Sequence, residues 1–209
     1  MPSQSTFRFT FEPVKASAIG AAFDVVEFTL DEALSETYRL TLWLSSTASD
    51  MDIGAMLDEA ALFTIWHGAQ AARHVHGIVT EFEQAATGFR RTRYRAVVEP
   101  SLARAALCSD WRIYQHLSVP EIMADVIKRQ GITDYEQIST CEHLPREYCV
   151  QAGDTDLAFL DRLAAEEGYF YYYAHSDGGH RLIHGDRITL NDDIPGDPVI
   201  YHPTRGAQS

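Results

Sequence analysis

Alternating hydrophobic and polar residues near the N-terminus predict a β-strand with one buried face. Phe7, Phe9 and Phe11 are separated by single polar residues, which is the period of two that an extended strand gives to its faces. Residues 23–30 and 38–45 have the same character, and we interpret both as strands. The chain therefore opens with a run of strands.

The strand pattern continues as far as Pro100. We predict a strand over residues 61–66, a loop over residues 68–73, and a hairpin that joins residues 75–83 to residues 89–98. One face of this hairpin carries mainly hydrophobic and small residues, namely Ile78, Thr80, Phe82, Thr92, Tyr94, Ala96 and Val98. The other face carries opposite charges that favour cross-strand pairing, namely Glu81, Glu83, Arg91, Arg93 and Arg95. Short antiparallel strands with regular turns are typical of a small barrel or sandwich, and we predict a compact antiparallel β-barrel over residues 1–100.

Helical signals replace the strand pattern after Pro100. Ser118 and Glu121 form a capping box ahead of a hydrophobic run, and Gly131 ends that helix. A second helix begins near Thr155 and ends at Gly168, and it has an apolar stripe at helical spacing.

Aromatic residues follow the second helix without a break. Residues 169–173 read Tyr-Phe-Tyr-Tyr-Tyr, which favours a strand, and residues 181–184 form the returning strand of a hairpin. One helix cannot bury all five rings; we interpret most of them as core, with a partner contact as the alternative. The predicted fold class is α+β, with a mixed domain of helices and a β-hairpin over residues 101–190 and an irregular tail over residues 191–209.

Charge and cysteine content narrow the classes of partner. The formal net charge is -13, spread over the whole chain, and such a surface repels phosphate, so we expect neither nucleic acid nor anionic membrane as a partner. Three cysteines without C-x-x-C spacing favour a reducing compartment over a disulfide scaffold. The N-terminus lacks the features of a signal peptide and no run is long enough to span a membrane, so we expect a cytoplasmic start.

Histidines and paired acids are the candidate chemical groups. His74 and His76 share a strand face and could begin a metal site, but no third ligand is near in sequence. The group His175, His180 and His184 could cluster, although polar turn residues are the simpler interpretation.

Glu166 and Glu167, next to Asp161, suggest an acid/base pair, which we weigh against solvated charges on an amphipathic helix and judge the weaker interpretation. No nucleophile elbow, zinc-protease, phosphate-loop or dinucleotide motif is present in the sequence. We therefore predict no catalytic residues, no cofactor-binding residues and no metal ligands, and a protein that is not an enzyme.

Several separate stretches together resemble one known family. They include the runs from Gly77 to Phe82, from Trp111 to Gln115 and from Ser118 to Ile122, and Gln151 followed by the second helix and the aromatic hairpin. In these stretches the chain is similar to the N-terminal part of VgrG-type spike proteins of type VI secretion, which resemble the central hub of contractile phage tails. Ala152, where an aromatic residue is frequent, and Tyr114 are departures at the level of packing.

The resemblance implies a structural role in delivering effectors by contraction. Three copies of the full-length protein would form a hub that joins a hexameric tube protein to a trimeric needle, with an effector as possible cargo. Such a protein assembles in the cytoplasm and is exported with the spike without a signal peptide. The alternatives are a hub or baseplate protein of a contractile phage or phage-like particle and, less favoured, a hydrolytic enzyme. Family members continue into further domains, so we expect the isolated chain to be monomeric or weakly associating.

Overall fold

The computed structural model describes residues 7–13 and 22–188 and begins with a closed β-barrel. The strands follow each other around the barrel in the order β1-β2-β3-β6-β5-β4, and all neighbours are antiparallel. Their bounds are β1 Phe7–Pro13, β2 Asp24–Asp31, β3 Arg39–Ser46, β4 Ala60–His67, β5 Gln70–Thr87 and β6 Thr92–Glu99. The barrel predicted from alternation is confirmed.

Alternation identifies the inward residues of β3, but in β1 it is right only for Phe11, because Phe7 and Phe9, which it places on the same buried face, are 52% and 36% exposed. Leu40, Leu42 and Leu44 of β3 are fully buried and pack with Phe63 of β4 and Tyr94 of β6. A closed barrel gives every strand two neighbours, although β1 pairs with β2 only at Thr10 and β5 pairs with β6 only from Ile78 onward.

The second part of the chain, here called the α+β unit, contains the elements after β6. A 3-10 helix at Ser101–Leu107 leads into them. Their bounds are β7 Ser109–Leu117, α1 Val119–Arg129, β8 Tyr135–Ile138, β9 Arg146–Thr155, α2 Asp156–Glu167, β10 Phe170–His175 and β11 His180–Gly185. Strands β10, β11 and β8 form one mixed sheet, and β7 pairs with β9 in a separate two-stranded sheet. The α+β fold class is confirmed.

Both predicted helix boundaries are formed by the expected caps. The backbone N–H of Ser118 donates to the Glu121 carboxylate at 2.8 Å, which completes the capping box of α1. The Thr155 hydroxyl accepts from the Ala158 N–H at 3.1 Å at the start of α2. Gly168 ends α2 with a φ of 76°, a left-handed conformation that glycine adopts without steric cost.

Strand β5 corrects two sequence interpretations. It begins at Gln70, so the loop predicted over residues 68–73 is wrong; its first residues are exposed and lack alternation, but they pair with β4. A β-bulge between Val79 and Glu81 then shifts the inward positions, so Val79 and Phe82 enter the barrel core while Ile78 and Thr80 do not. Alternation alone does not reveal an inserted residue.

Strands β7 and β8 were not predicted. Of the five consecutive aromatic residues, Tyr169 and Tyr171 are buried in the core of the α+β unit. The division at Pro100 into domains stays a prediction, and the predicted tail over residues 191–209 lies outside the described residues.

Candidate docking surface

Glu166 and Glu167 of α2 are held in ion pairs. Arg146 of β9 donates to Glu166 and to Glu167, each at 2.6 Å, and the His143 ring lies 2.8 Å from the other oxygen of Glu167. The hydrogen bond from Arg146 lowers the pKa of Glu166, and the bonds from His143 and then Arg146 lower the pKa of Glu167. Burial raises the pKa of the neighbouring Asp161, against a hydrogen bond with Tyr171 that lowers it. Neither Glu166 nor Glu167 has the raised pKa that the acid of an acid/base pair needs, which favours a structural role for both residues.

His74 and His76 lie on β5 but make different contacts. The His74 ring is 3.2 Å from the hydroxyl of Thr64 on β4. The His76 ring instead meets the ring of His180, with 3.2 Å between their Nδ1 atoms. Within residues 7–13 and 22–188, no group of histidines, cysteines and acids has the arrangement of a metal site.

The interpretation of the later histidines as independent turn residues is wrong for two of them. His175 and His180 face each other across the β10–β11 hairpin and contact His76, so the three rings form one cluster between the barrel and the α+β unit. His184 does not join them, because it is buried among Tyr135 and Tyr171. The hairpin register pairs His175 with His180, but nothing in the sequence relates either residue to His76.

The first residue of α2, Asp156, is a buried acid. Asp156 is 4% exposed, and its two oxygens accept from the side-chain amides of Gln130 and Gln151. This arrangement ties α1, β9 and α2 together and leaves no open position for a ligand, so Asp156 is a structural group.

The outer face of the β7–β9 sheet carries several exposed hydrophobic side chains. Trp111 and Ile113 of β7 are 78% and 69% exposed, and Tyr148 and Val150 of β9 are 65% and 36% exposed. The register places Ile113 opposite Val150, so these side chains share one face, which we call the apolar face.

Gly153 and the buried inner face of the sheet position the apolar face. Gly153 has a φ of +85°, and a Cβ atom added there would lie 3.1 Å from the Trp111 indole, so the glycine leaves room for the ring. The inner face of the same sheet carries Tyr114 and Cys149, which are buried against α1 and α2. An exposed cluster of large hydrophobic residues on a rigid sheet marks an interaction surface.

The three cysteines are free thiols. Cys108 and Cys141 are exposed, and Cys149 is buried. In the described ranges, no helix combines the length and hydrophobicity needed to cross a membrane.

The chain joins a barrel to an α+β unit that has an exposed apolar face. Glu166 and Glu167, the candidate acid/base pair, are held in ion pairs. These features are typical of a structural component of an assembly. Comparison with known proteins gives the family. A sequence profile described as phage tail baseplate hub (GPD) matches residues 31–209, and the chain belongs to this family.

Relatives include spike proteins and a toxin. The chain is 48% identical over 198 residues to the type VI secretion system spike protein VgrG2a of Pseudomonas aeruginosa, covering 95% of this chain and 23% of that protein. It is 34% identical over 169 residues to the actin cross-linking toxin VgrG1 of Vibrio cholerae, covering 81% of this chain and 15% of that protein. The chain thus spans about a quarter of VgrG2a and less of VgrG1.

The fold also has a relative among solved structures. An E. coli component of the type VI secretion system, described as similar to the T4 bacteriophage tail proteins gp27 and gp5, matches with a TM-score of 0.80. The match covers 89% of this chain and 51% of that chain at 22% sequence identity. At this identity the match shows the shared fold.

Proposed function

We propose that this chain is the hub region of a type VI secretion spike, which joins a hexameric tube protein to a trimeric needle for contractile delivery of effectors. The observation that carries the proposal is the 48% identity to the spike protein VgrG2a over 95% of the chain. In this proposal the spike assembles in the cytoplasm and leaves the cell with the tube.

A domain exchange tests the proposal directly. The matching N-terminal region of VgrG2a is replaced by this chain in a Pseudomonas aeruginosa strain whose other spike proteins are deleted. We expect the chimera to restore release of the tube protein into the medium. A chimera that accumulates at the normal level and yet releases no tube protein contradicts the proposal.

We further propose that a neighbouring copy of the spike protein covers the apolar face in the homotrimer. The charge distribution supports this partner. The chain carries a net charge of -13, so most contacts between copies bring carboxylates together. The outward positions of the apolar face carry no charged side chain between Trp111 and Gln115 or between Tyr148 and Ala152. Copies can therefore meet here without an electrostatic penalty.

A photo-crosslinking amino acid at position 111 of the chimera identifies what covers the face. Covalent dimers and trimers of the spike protein support contact between copies. A crosslink to the tube protein, to an effector, or to a later segment of the same chain overturns it. The matched control position is Phe89 on the barrel, which is 99% exposed.

The chain has no catalytic activity of its own in this proposal. The toxin activity in the name of VgrG1 belongs to a protein of which this chain matches only 15%. Purified protein is screened for hydrolase activity, and turnover that disappears on Glu166→Ala or Glu167→Ala, with the fold intact, contradicts this view.

A hub of a contractile phage or phage-like particle is the second candidate, because the matching family is described as phage tail baseplate hub. The domain exchange separates the two candidates, since a phage hub is not expected to support release of the secretion tube.

A further inference from the structure

The histidine cluster lies where the β10–β11 hairpin meets the barrel. His76 belongs to β5, while His175 ends β10 and His180 begins β11. The aromatic ring of Tyr38 packs against His175 with ring centroids 4.9 Å apart, and the same ring is 5.0 Å from Tyr173. The three imidazoles are thus part of the contact that holds the two parts of the chain together.

The free edge of β5 explains why His175 is in this position. Strand β6 pairs with β5 only from Ile78 onward, so the backbone of His76 is not used by the barrel on that side. The His76 N–H donates to Nδ1 of His175 at 3.2 Å, and the His76 carbonyl accepts from the Tyr38 hydroxyl. Side chains therefore complete the backbone hydrogen bonds that the barrel leaves open.

The backbone donors fix the proton positions on the rings. Because an N–H can only donate, Nδ1 of His175 is unprotonated. The N–H of Ser101 donates to Nε2 of His180 at 3.2 Å, so that nitrogen is unprotonated too. A neutral His180 then carries its proton on Nδ1 and donates it to Nδ1 of His76 at 3.2 Å.

Each ring therefore has one nitrogen that accepts a hydrogen bond. In acid that nitrogen would bind a proton and become a donor. A proton on Nε2 of His180 would face the Ser101 N–H, and a proton on Nδ1 of His175 would face the His76 N–H. A proton on Nδ1 of His76 would face the donor of His180. Ionising any ring replaces an attraction with a contact between two donors, and it also brings like charges together.

The surrounding charges do not compensate. Arg73 of β5 and Glu32, which follows β2, face His175, but they are bonded to each other. Asp134, which precedes β8, faces His180, but it is paired with Arg181 at 2.7 Å. The remaining titratable neighbours are Tyr38 and Tyr173, which are uncharged at neutral pH because burial raises the pKa of each phenol. Within the described residues, no carboxylate forms an ion pair with these three rings.

We propose that His76, His175 and His180 form an acid-sensitive latch, which holds the β10–β11 hairpin against the barrel only while all three rings are neutral. Burial, followed by the effect of neighbouring charges, lowers the pKa of His175 and of His180 from 6.5 to about 4. Burial also lowers the pKa of His76.

The sign of the pH dependence follows from these directions. A released hairpin exposes imidazoles that bind protons at the ordinary pKa of 6.5, while the closed latch binds them only near pH 4. The closed state is therefore fully favoured above pH 6.5, and it loses stability as the pH falls from 6.5 to 4. Each of these two histidines shifts the opening equilibrium roughly twentyfold between about pH 7 and about pH 5.

Hydrogen exchange measured by mass spectrometry tests the latch in the purified chain. Rates at about pH 7 and about pH 5 are corrected for intrinsic chemistry, and hairpin peptides over residues 170–185 are compared with barrel peptides over residues 40–46. We expect acid to lower protection in the hairpin far more than in the barrel. An equal loss in both parts would indicate general acid unfolding and overturns the proposal.

Substitutions separate the effect of the cluster from that of His184, which is also buried. Burial lowers the pKa of His184 to about 3. The double variant His175→Asn with His180→Gln keeps oxygen acceptors near the two accepting nitrogens but cannot ionise there. We expect it to lose the roughly twentyfold contribution of each of the two substituted rings, while His184 contributes equally to both proteins. The single variant His175→Asn, expected to lose one such contribution, serves if the double variant does not fold.

His116→Asn is the matched control, because His116 is exposed and its φ of 55° is one that asparagine tolerates. It should keep the wild-type pH dependence. Folded His175→Asn protein with the same acid sensitivity as the wild type contradicts the latch.

Discussion

The barrel and the α+β unit use the same kinds of residue in different ways. In the barrel, six strands close on each other and the large hydrophobic side chains of β3 point inward. In the α+β unit, the β7–β9 sheet has two strands in the described ranges, and Trp111 and Ile113 point outward. The barrel strands thus close around a hydrophobic core, although Phe7 and Val26 are about half exposed, while the α+β unit presents an apolar sheet face suited to assembly.

The largest effect is expected where the barrel is most tightly packed. A Cβ atom at Gly77 would lie 2.5 Å from the Glu99 carbonyl oxygen and 2.8 Å from the Tyr38 hydroxyl. Because a backbone atom cannot move aside without distorting β6, Gly77→Ala should lower the free energy of unfolding by about 3 kcal/mol, measured by urea denaturation. The control is Gly178→Ala, where a Cβ atom meets nothing within 4 Å. Equal unfolding free energies of the two variants would show that Gly77 is not tightly packed against Glu99 and Tyr38.

The second effect tests whether the α+β unit also has a specific core. Asp156→Asn places an amide donor against the amides of Gln130 or Gln151, which now donate to the carboxylate. We expect a loss of about 2 kcal/mol in unfolding free energy, because a buried donor is left without an acceptor. The matched variant Asp177→Asn, in an exposed turn, should change stability by less than about 0.5 kcal/mol. An unchanged midpoint of urea denaturation for Asp156→Asn would contradict a stabilising role for the hydrogen bonds of Asp156 with Gln130 and Gln151.

The third effect concerns the ion pairs of α2. Arg146→Met should cost about 1 kcal/mol, since partly exposed pairs contribute little individually. The lowered pKa values of Glu166 and Glu167 mean that both carboxylates stabilise the fold above about pH 4.5 and lose this contribution as the pH falls through their native pKa values. Thermal melting below pH 4.5 should therefore separate the wild type from Arg146→Met less than melting at pH 7 does. A difference that does not shrink in acid would contradict this account of the pairs.

The smallest effect is expected on the apolar face of the isolated chain. Trp111→Ser removes a side chain that is 78% exposed, so the unfolding free energy should change by about 0.5 kcal/mol or less. Differential scanning calorimetry against Phe89→Ser measures this. A loss of several kcal/mol would mean that the face belongs to the core of the α+β unit and would remove the contrast with the barrel.

Local signals predicted most of the fold. The capping box at Ser118, the cap at Thr155 and the glycine at Gly168 involve neighbours in sequence; the first two begin helices and Gly168 ends one, as expected. Alternation identified the buried face of β3 in the same way, whereas in β1 it indicated the strand but wrongly placed Phe7 and Phe9 on a buried face. Strand β7 was not predicted because its hydrophobic residues Trp111 and Ile113 lie on the exposed face. Alternation indicates a strand most clearly when the hydrophobic face is the buried one.

Contacts between residues far apart in the sequence could not be predicted, and the candidate sites depend on them. His76 and His180 are 104 positions apart, and their contact depends on how the hairpin packs on β5. The bulge near Val79 likewise depends on the partner strand β6. The sequence could name the histidines and the acids, but only the packing of the two parts shows that the histidines meet and that the acids are tied to Arg146.

The most direct test of the structural role combines the apolar face with the domain exchange. Trp111→Ser and Ile113→Ser are introduced together into the VgrG2a chimera, and tube protein released into the medium is measured with chimera abundance as the reference. The account predicts that release falls at least about tenfold, because more than 1.4 kcal/mol of assembly free energy is lost, while Phe89→Ser leaves release unchanged. Normal release by the double variant, at equal abundance, would contradict a role of this face in the spike.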